Sequence, residues 1–326
     1  MMKKILKLLL FIVLVVAILF AVRYKLTYNG KVLLVKADSE KGFYYEYYLY
    51  IPEGVGTEKI HTLLVCPNNT GTTSDDHDVH VQKVLKKMHS DKDSYPKRIA
   101  YELKVPMLMP VFDRPESNWQ AYTHALDSDT LNITQGALTR IDLQLIAMIQ
   151  DAKRVLEEKG VEVSDKVIMD GFSASANFTN RFAVLHPNVV RAVSTGGVNS
   201  MPIIPLETLN GVTLPYHVGI GGLEELAGLE LNLDEYLKVD QYIYMGAEDE
   251  NDTLPYDDAY NEDERRITEE VLGKTMNERW QTSKNIYESL KIPAEMVTYE
   301  GIGHTVTSDM IADIIHFYKK ILTERK

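Results

Sequence analysis

The sequence predicts an α/β fold: a mostly parallel central sheet with helices on both faces, and possibly a small helical cap. Three observations predict it. Short apolar runs suited to buried strands recur at residues 43–51, 61–66, 105–112, 167–169, 189–195, 242–247 and 294–299. A long amphipathic stretch, residues 136–159, ends at Gly160 and leads into the run at 167, a β–α–β rhythm. That run then enters a sharp turn bearing a serine, and a helix-compatible segment, residues 177–185, follows at once. With 326 residues, 45% of them hydrophobic, the chain is long enough for one large core.

The formal net charge of -12 argues against a nucleic-acid partner, because nothing would neutralise phosphates. The single cysteine, Cys66, excludes an internal disulfide and reads as a small buried hydrophobe. Residues 1–25 read as a targeting segment: Lys3, Lys4 and Lys7 precede an uncharged apolar run at 8–22, and Arg23 and Lys25 close it. An uncleaved signal anchor is preferred to a cleaved signal peptide. Either places the globular part outside the cytoplasm, membrane-anchored in the first case and secreted in the second. Residues 26–42 read as a tether and 43–326 as the folded domain.

Taken in order, the strand at 43–51 ends at the turn Pro52-Glu53-Gly54. The strand at 61–66 ends at Pro67-Asn68-Asn69-Thr70-Gly71. Asp75, Asp76, His77, Asp78 and His80 invite a metal reading, but their spacing fits no ligand motif, and a helix start explains the carboxylates. Residues 81–103 read as a helix in two pieces broken at Pro96. Past the strand at 105–112, Trp119 and Tyr122 sit in a polar loop off a strand end and are candidates to line a substrate pocket. In the helix at 136–159, Leu138, Ile141, Leu145, Met148, Ala152 and Val155 form one stripe, which leaves Asp142, Gln144 and Gln150 on a solvated face. Pro187 stops the helix after the serine turn, leaving His186 facing its C-terminal dipole. A short strand is expected at 216–220, and 260–290 reads as helical.

The serine turn is Gly171-Phe172-Ser173-Ala174-Ser175. Glycine is needed where a strand is crowded against the helix that follows it. A serine at the tip of such a turn stands clear of both elements, and the N–H of Ala174 points into the same space. After the strand at 242–247 comes Gly246-Ala247-Glu248-Asp249, with Asp252 as the fallback carboxylate. After the last strand comes Gly301-Ile302-Gly303-His304. The order Ser173, Asp249, His304, each just past a predicted parallel strand, resembles the α/β-hydrolase superfamily over almost everything after residue 42. Within it, the chain resembles the extracellular esterase and polyhydroxybutyrate-depolymerase-like group or the dienelactone-hydrolase-like group. Two features depart from the pattern: Ser175 replaces the last glycine of the turn, and Asn68-Asn69 stands where a His-Gly motif is usual.

The resemblance implies a serine hydrolase cleaving a carboxylic ester through Ser173, His304 and Asp249. Ala174 and either Asn69 or Thr70 would supply the oxyanion hole, with no metal and no cofactor. The partner is then a small-molecule or polymeric ester. Rival readings are a peptidase or acyltransferase with the same three residues, a non-catalytic surface binding protein, and a metal-dependent hydrolase.

Overall fold

Eight strands form one sheet, in the spatial order 30–35, 47–52, 107–110, 64–65, 167–172, 190–196, 240–246 and 294–299. A computed structural model of the chain describes residues 28–56, 60–90 and 95–323. The strands are β1 (Gly30–Val35), β2 (Tyr47–Pro52), β3 (Leu64–Val65), β4 (Met107–Pro110), β5 (Val167–Phe172), β6 (Val190–Gly196), β9 (Asp240–Gly246) and β10 (Ala294–Tyr299). β1–β2 and β2–β4 are antiparallel, and every pair from β4 to β10 is parallel. The central strands β3 and β5 are almost entirely apolar, as strands covered on both faces must be. A separate two-stranded hairpin, β7 (Thr208–Leu209) and β8 (Val212–Thr213), lies outside this sheet.

Two apolar clusters cover the two faces. On one, α4 (Ile141–Glu157) and α5 (Ala174–Leu185) bury Leu145, Met148, Phe178 and Phe182. On the other, α1 (His77–His89), α2 (Tyr95–Leu103) and α10 (Ser308–Thr323) bury Val84, Ile99, Ile314 and Tyr318. Short helices α3 (Ser128–Leu131), α6 (Leu223–Ala227) and α7 (Leu233–Tyr236) fill the connections, and α8 (Glu262–Val271) and α9 (Met276–Ser289) link β9 to β10. The chain therefore has the α/β-hydrolase arrangement of a mostly parallel sheet with helices on both faces.

Several expectations are corrected. Part of the tether at 26–42 is β1, which pairs with β2 from Gly30↔Pro52 to Val35↔Tyr47; its short apolar run, Val32-Leu33-Leu34-Val35, stands between Lys31 and Lys36 and was read with the polar tether. Residues 216–220 are a turn rather than a strand, closed by a single bridge between the flanking Pro215 and Gly221. Pro96 sits at the second position of α2, where its missing N–H costs nothing. Asp142 and Gln144 are buried rather than solvated. His186 donates to Asp142 across 2.9 Å and Arg140 pairs with it at 2.7 Å. Burial alone would raise the Asp142 carboxyl, but these two partners outweigh it and hold it near 2. Asp76 caps α1 by accepting from the N–H of Asp78. His77 pairs with Asp113, and among the described residues no group of acidic, histidine or cysteine side chains is arranged to hold a metal ion. No helix among them is long and apolar enough to cross a membrane. The targeting segment at 1–25 lies outside the described residues.

Asp170 is the anomaly of the core. It lies on β5 just before the serine turn, 1% exposed, with no partner in full hydrogen-bonding geometry and only the Ser194 and Tyr95 hydroxyls close by. Burial pushes its carboxyl up to about 7, against weaker pulls from Ser194, Tyr95 and Lys87. A carboxyl raised on folding stabilises the fold below its unfolded value near 4 and loses that contribution as pH rises through its folded value. Replacing Asp170 by Asn should therefore leave stability near pH 4 little changed. The variant should gain on the parent between about pH 4 and 7, by on the order of 2–4 kcal/mol at the upper end. Urea denaturation at a series of pH values checks this, and parallel stability curves would refute it.

Candidate active site

The site is built on a backbone that only one residue type permits. β5 runs directly into α5, and a Cβ placed on Gly171 would lie 2.2 Å from the carbonyl oxygen of Ser175. With glycine there, Ser173 takes φ 63 and ψ -131, a conformation L-residues rarely adopt and one that stores about 1–3 kcal/mol of strain. Its N–H is tied to the carbonyl of Gly196 on the neighbouring strand at 2.9 Å. Ala174 opens α5, so its N–H has no acceptor within the helix.

Ser175 shows what its departure from glycine does. Its hydroxyl donates to the carbonyl of Phe172 at 2.8 Å and accepts from the N–H of Phe172 at 3.0 Å, a double clamp across the turn. The hydroxyl stiffens the turn from inside.

The second loop is the one after β9. Asp249 is 7% exposed and accepts from Nδ1 of His304 at 2.9 Å, with its other oxygen 3.1 Å away. Asp249 also accepts from the N–H of Asn251 at 3.0 Å. His304 is brought here because a close approach is open at Gly246: a Cβ there would meet the carbonyl oxygen of Ile302 at 2.0 Å. The N–H of Glu248 donates to that same oxygen at 2.9 Å, which joins the two loops. The His304 ring lies against Phe172, their centroids 4.7 Å apart, beside the serine turn. Ser173, His304 and Asp249 thus share one rim of the sheet. Asp252, the fallback carboxylate, is turned away: it accepts from Ser200 at 3.1 Å and pairs with the fully buried Arg279.

The third loop follows β3. Asn68 acts as a latch, its amide donating to the carbonyl of Phe112 at 2.9 Å and accepting from its N–H at 3.1 Å. His124 donates through Nε2 to the same carbonyl at 2.8 Å, and burial pushes its imidazole down to about 3, so it is a neutral structural base plate. Thr70 is buried, its N–H directed at Nδ1 of His124 at 3.5 Å, whereas Asn69 lines the cleft above Ser173. Of the two oxyanion candidates, only Asn69 faces that space. The cleft has a volume of about 590 Å³ and includes Arg114, Tyr122, Asn199, Asn251 and Tyr256 in its wall. Arg114 stacks on the Tyr122 ring at 3.6 Å and pairs with Asp258 across the mouth. Trp119 is half exposed and takes no part in the lining. Sequence reasoning noted Asn68 only as a departure from a motif and missed His124, Arg114, Asn199 and Asn251. Each is a polar residue between the main helices and strands, and only the three-dimensional closure of four connections marks it out.

The sequence matches no family model and no curated protein. Its fold is similar to poly(aspartic acid) hydrolase-1 from Sphingomonas sp. KT-1, at a TM-score of 0.54 and 13% identity over 91% of this chain and 99% of that one. It is also similar to a ferulic acid esterase, at a TM-score of 0.52 and 11% identity over 90% of this chain and 99% of that one. Both likenesses establish the α/β-hydrolase fold.

The clamp by Ser175 sets an expectation opposite to the usual motif. Ser175→Gly should destabilise the protein by about 1–2 kcal/mol, the worth of its two hydrogen bonds plus the added chain freedom. Chemical denaturation measures it; an unchanged or raised midpoint would show that the hydroxyl contributes nothing.

Proposed function

We propose that this α/β-hydrolase-fold chain is a serine hydrolase that cleaves a carboxylic ester through Ser173, His304 and Asp249. The observation that carries the reading is the Asp249–His304 pair at 2.9 Å, set beside a serine at positive φ. Asp249 accepts the Nδ1 proton, which leaves Nε2 as the basic nitrogen. Nε2 takes the hydroxyl proton of Ser173 as its oxygen bonds to the ester carbonyl carbon. The carbonyl π pair moves onto oxygen, and the N–H groups of Ala174 and Asn69 receive that charge, each worth about 3 kcal/mol in the barrier. Collapse breaks the bond to the alcohol, which leaves with the proton from Nε2. Water then repeats the sequence on the acyl-serine, and the acid departs. The two similar structures, named a hydrolase and an esterase, fit this class and leave the acyl group open.

Ser173→Ala should abolish turnover of a p-nitrophenyl ester and labelling by a fluorophosphonate probe, with the fold intact by circular dichroism. Asp249→Asn should lower kcat by about 10³–10⁴-fold, while Asp252→Asn should retain turnover within about tenfold. Retained turnover in the Ser173 variant would remove the serine from its role.

The basic-flanked apolar run at 8–22 supports an enzyme anchored in the membrane with its catalytic domain outside the cytoplasm. Fractionation of cells expressing the full chain should place it with membranes after carbonate washing, and protease added to intact spheroplasts should cleave it. Recovery in the soluble cytoplasmic fraction would refute the anchor.

A further inference from the structure

Ser173 does not rest its hydroxyl on the imidazole. Its one side-chain hydrogen bond among the described residues is to Oδ1 of Asn199, at 3.3 Å. That same oxygen accepts from Nδ2 of Asn251 at 3.2 Å. The Asn251 amide nitrogen also stands 3.2 Å from Nε2 of His304. A continuous run of hydrogen bonds, Ser173–Asn199–Asn251–His304, therefore links nucleophile and base through two amides.

The bridge is built into the surrounding structure. Asn199 is 2% exposed, and its backbone carbonyl accepts from Asn177 on α5 at 3.4 Å. The main-chain N–H of Asn251 binds Asp249, the carboxylate that orients His304. The directions of the bonds are fixed by chemistry. Nδ1 of His304 donates to Asp249, so Nε2 carries the lone pair and only a donor can face it. Asn251 must then present its NH₂, and Asn199 must present its oxygen to both the hydroxyl and that amide. Both asparagines line the cleft beside Ser173, so an acyl group entering there meets them first.

We propose, resting on the serine-hydrolase reading, that Asn199 and Asn251 are positioning residues. Their amide bridge keeps Ser173 and His304 uncoupled until it opens, and it holds Nε2 as the accepting nitrogen. Opening frees the hydroxyl to turn from Asn199 to the imidazole, and entry of the acyl group into the cleft competes for the same space. Two effects follow. The bridge slows attack on small electrophiles that cannot displace it. It also keeps an amide N–H on the Nε2 lone pair, the atom that must accept the serine proton.

The experiment compares the full chain with Asn251→Ala, Asn199→Ala and Asn251→Asp, using a small fluorophosphonate and a p-nitrophenyl ester from pH 5 to 9. Asn251→Ala and Asn199→Ala should each be labelled about fivefold faster, the release of one hydrogen bond. The acid limb of kcat/KM should move to higher pH in Asn251→Ala, by about half a unit. It should move further in Asn251→Asp, whose carboxylate can only accept from a protonated ring, and labelling at pH 7 should fall there. Should Asn251→Ala fail to fold, Asn199→Ala reads the same bridge from its other end. Variants with unchanged labelling and an unchanged pH profile overturn the inference alone. Slower labelling in both alanine variants with an unchanged profile, the sign of a merely structural role, does the same. Absence of Ser173-dependent labelling in the unaltered protein overturns the serine-hydrolase reading itself, and the inference with it.

Discussion

The structure depends on one contact, the backbone of β5 meeting the first turn of α5 at Gly171 with no room for a side chain. That contact forces Ser173 into its unusual φ, lifts the hydroxyl off the sheet edge, and leaves the first N–H of α5 unpaired by the helix. It also fixes where everything else must arrive. Parallel pairing of β5, β6, β9 and β10 delivers the ends of those strands to one rim, so the loops after them meet without a long excursion. A second close approach, at Gly246, draws the loop bearing His304 down onto the loop bearing Asp249.

What could be read from the chain follows from this. Strand runs, the serine turn and the order of the three residues are local or periodic signals, and local signals survive in a sequence. The choice between Asp249 and Asp252 was not of that kind. Both lie in one acidic loop, and they differ only in what stands opposite: His304 for one, Arg279 for the other. The edge strand β1 was lost among flanking lysines, because an edge strand needs only one apolar face. Asp142 looked solvated because helical periodicity counts apolar residues; it cannot see that His186 and Arg140 are waiting to satisfy a buried carboxylate.

The polar residues beneath and around the site divide by whether they are satisfied. Asn68, His124 and Ser175 have their bonds completed by backbone, and they act as fasteners. Asp170 does not, and sits three residues before the serine in the driest part of the sheet. A fold that keeps a carboxyl there loses stability as that group ionises, whereas the fasteners return stability with each bond.

Arg279 spreads its guanidinium over four acceptors in three loops: the carbonyl of Ser200 after β6, those of Gly273 and Lys274 between α8 and α9, and Asp252 after β9. No other side chain combines that reach with donors in a rigid fork; lysine would satisfy a single corner of it. Natural variation at this position should be narrow even though it touches no reacting atom, and drift in α9 can proceed only where it leaves this one knot tied.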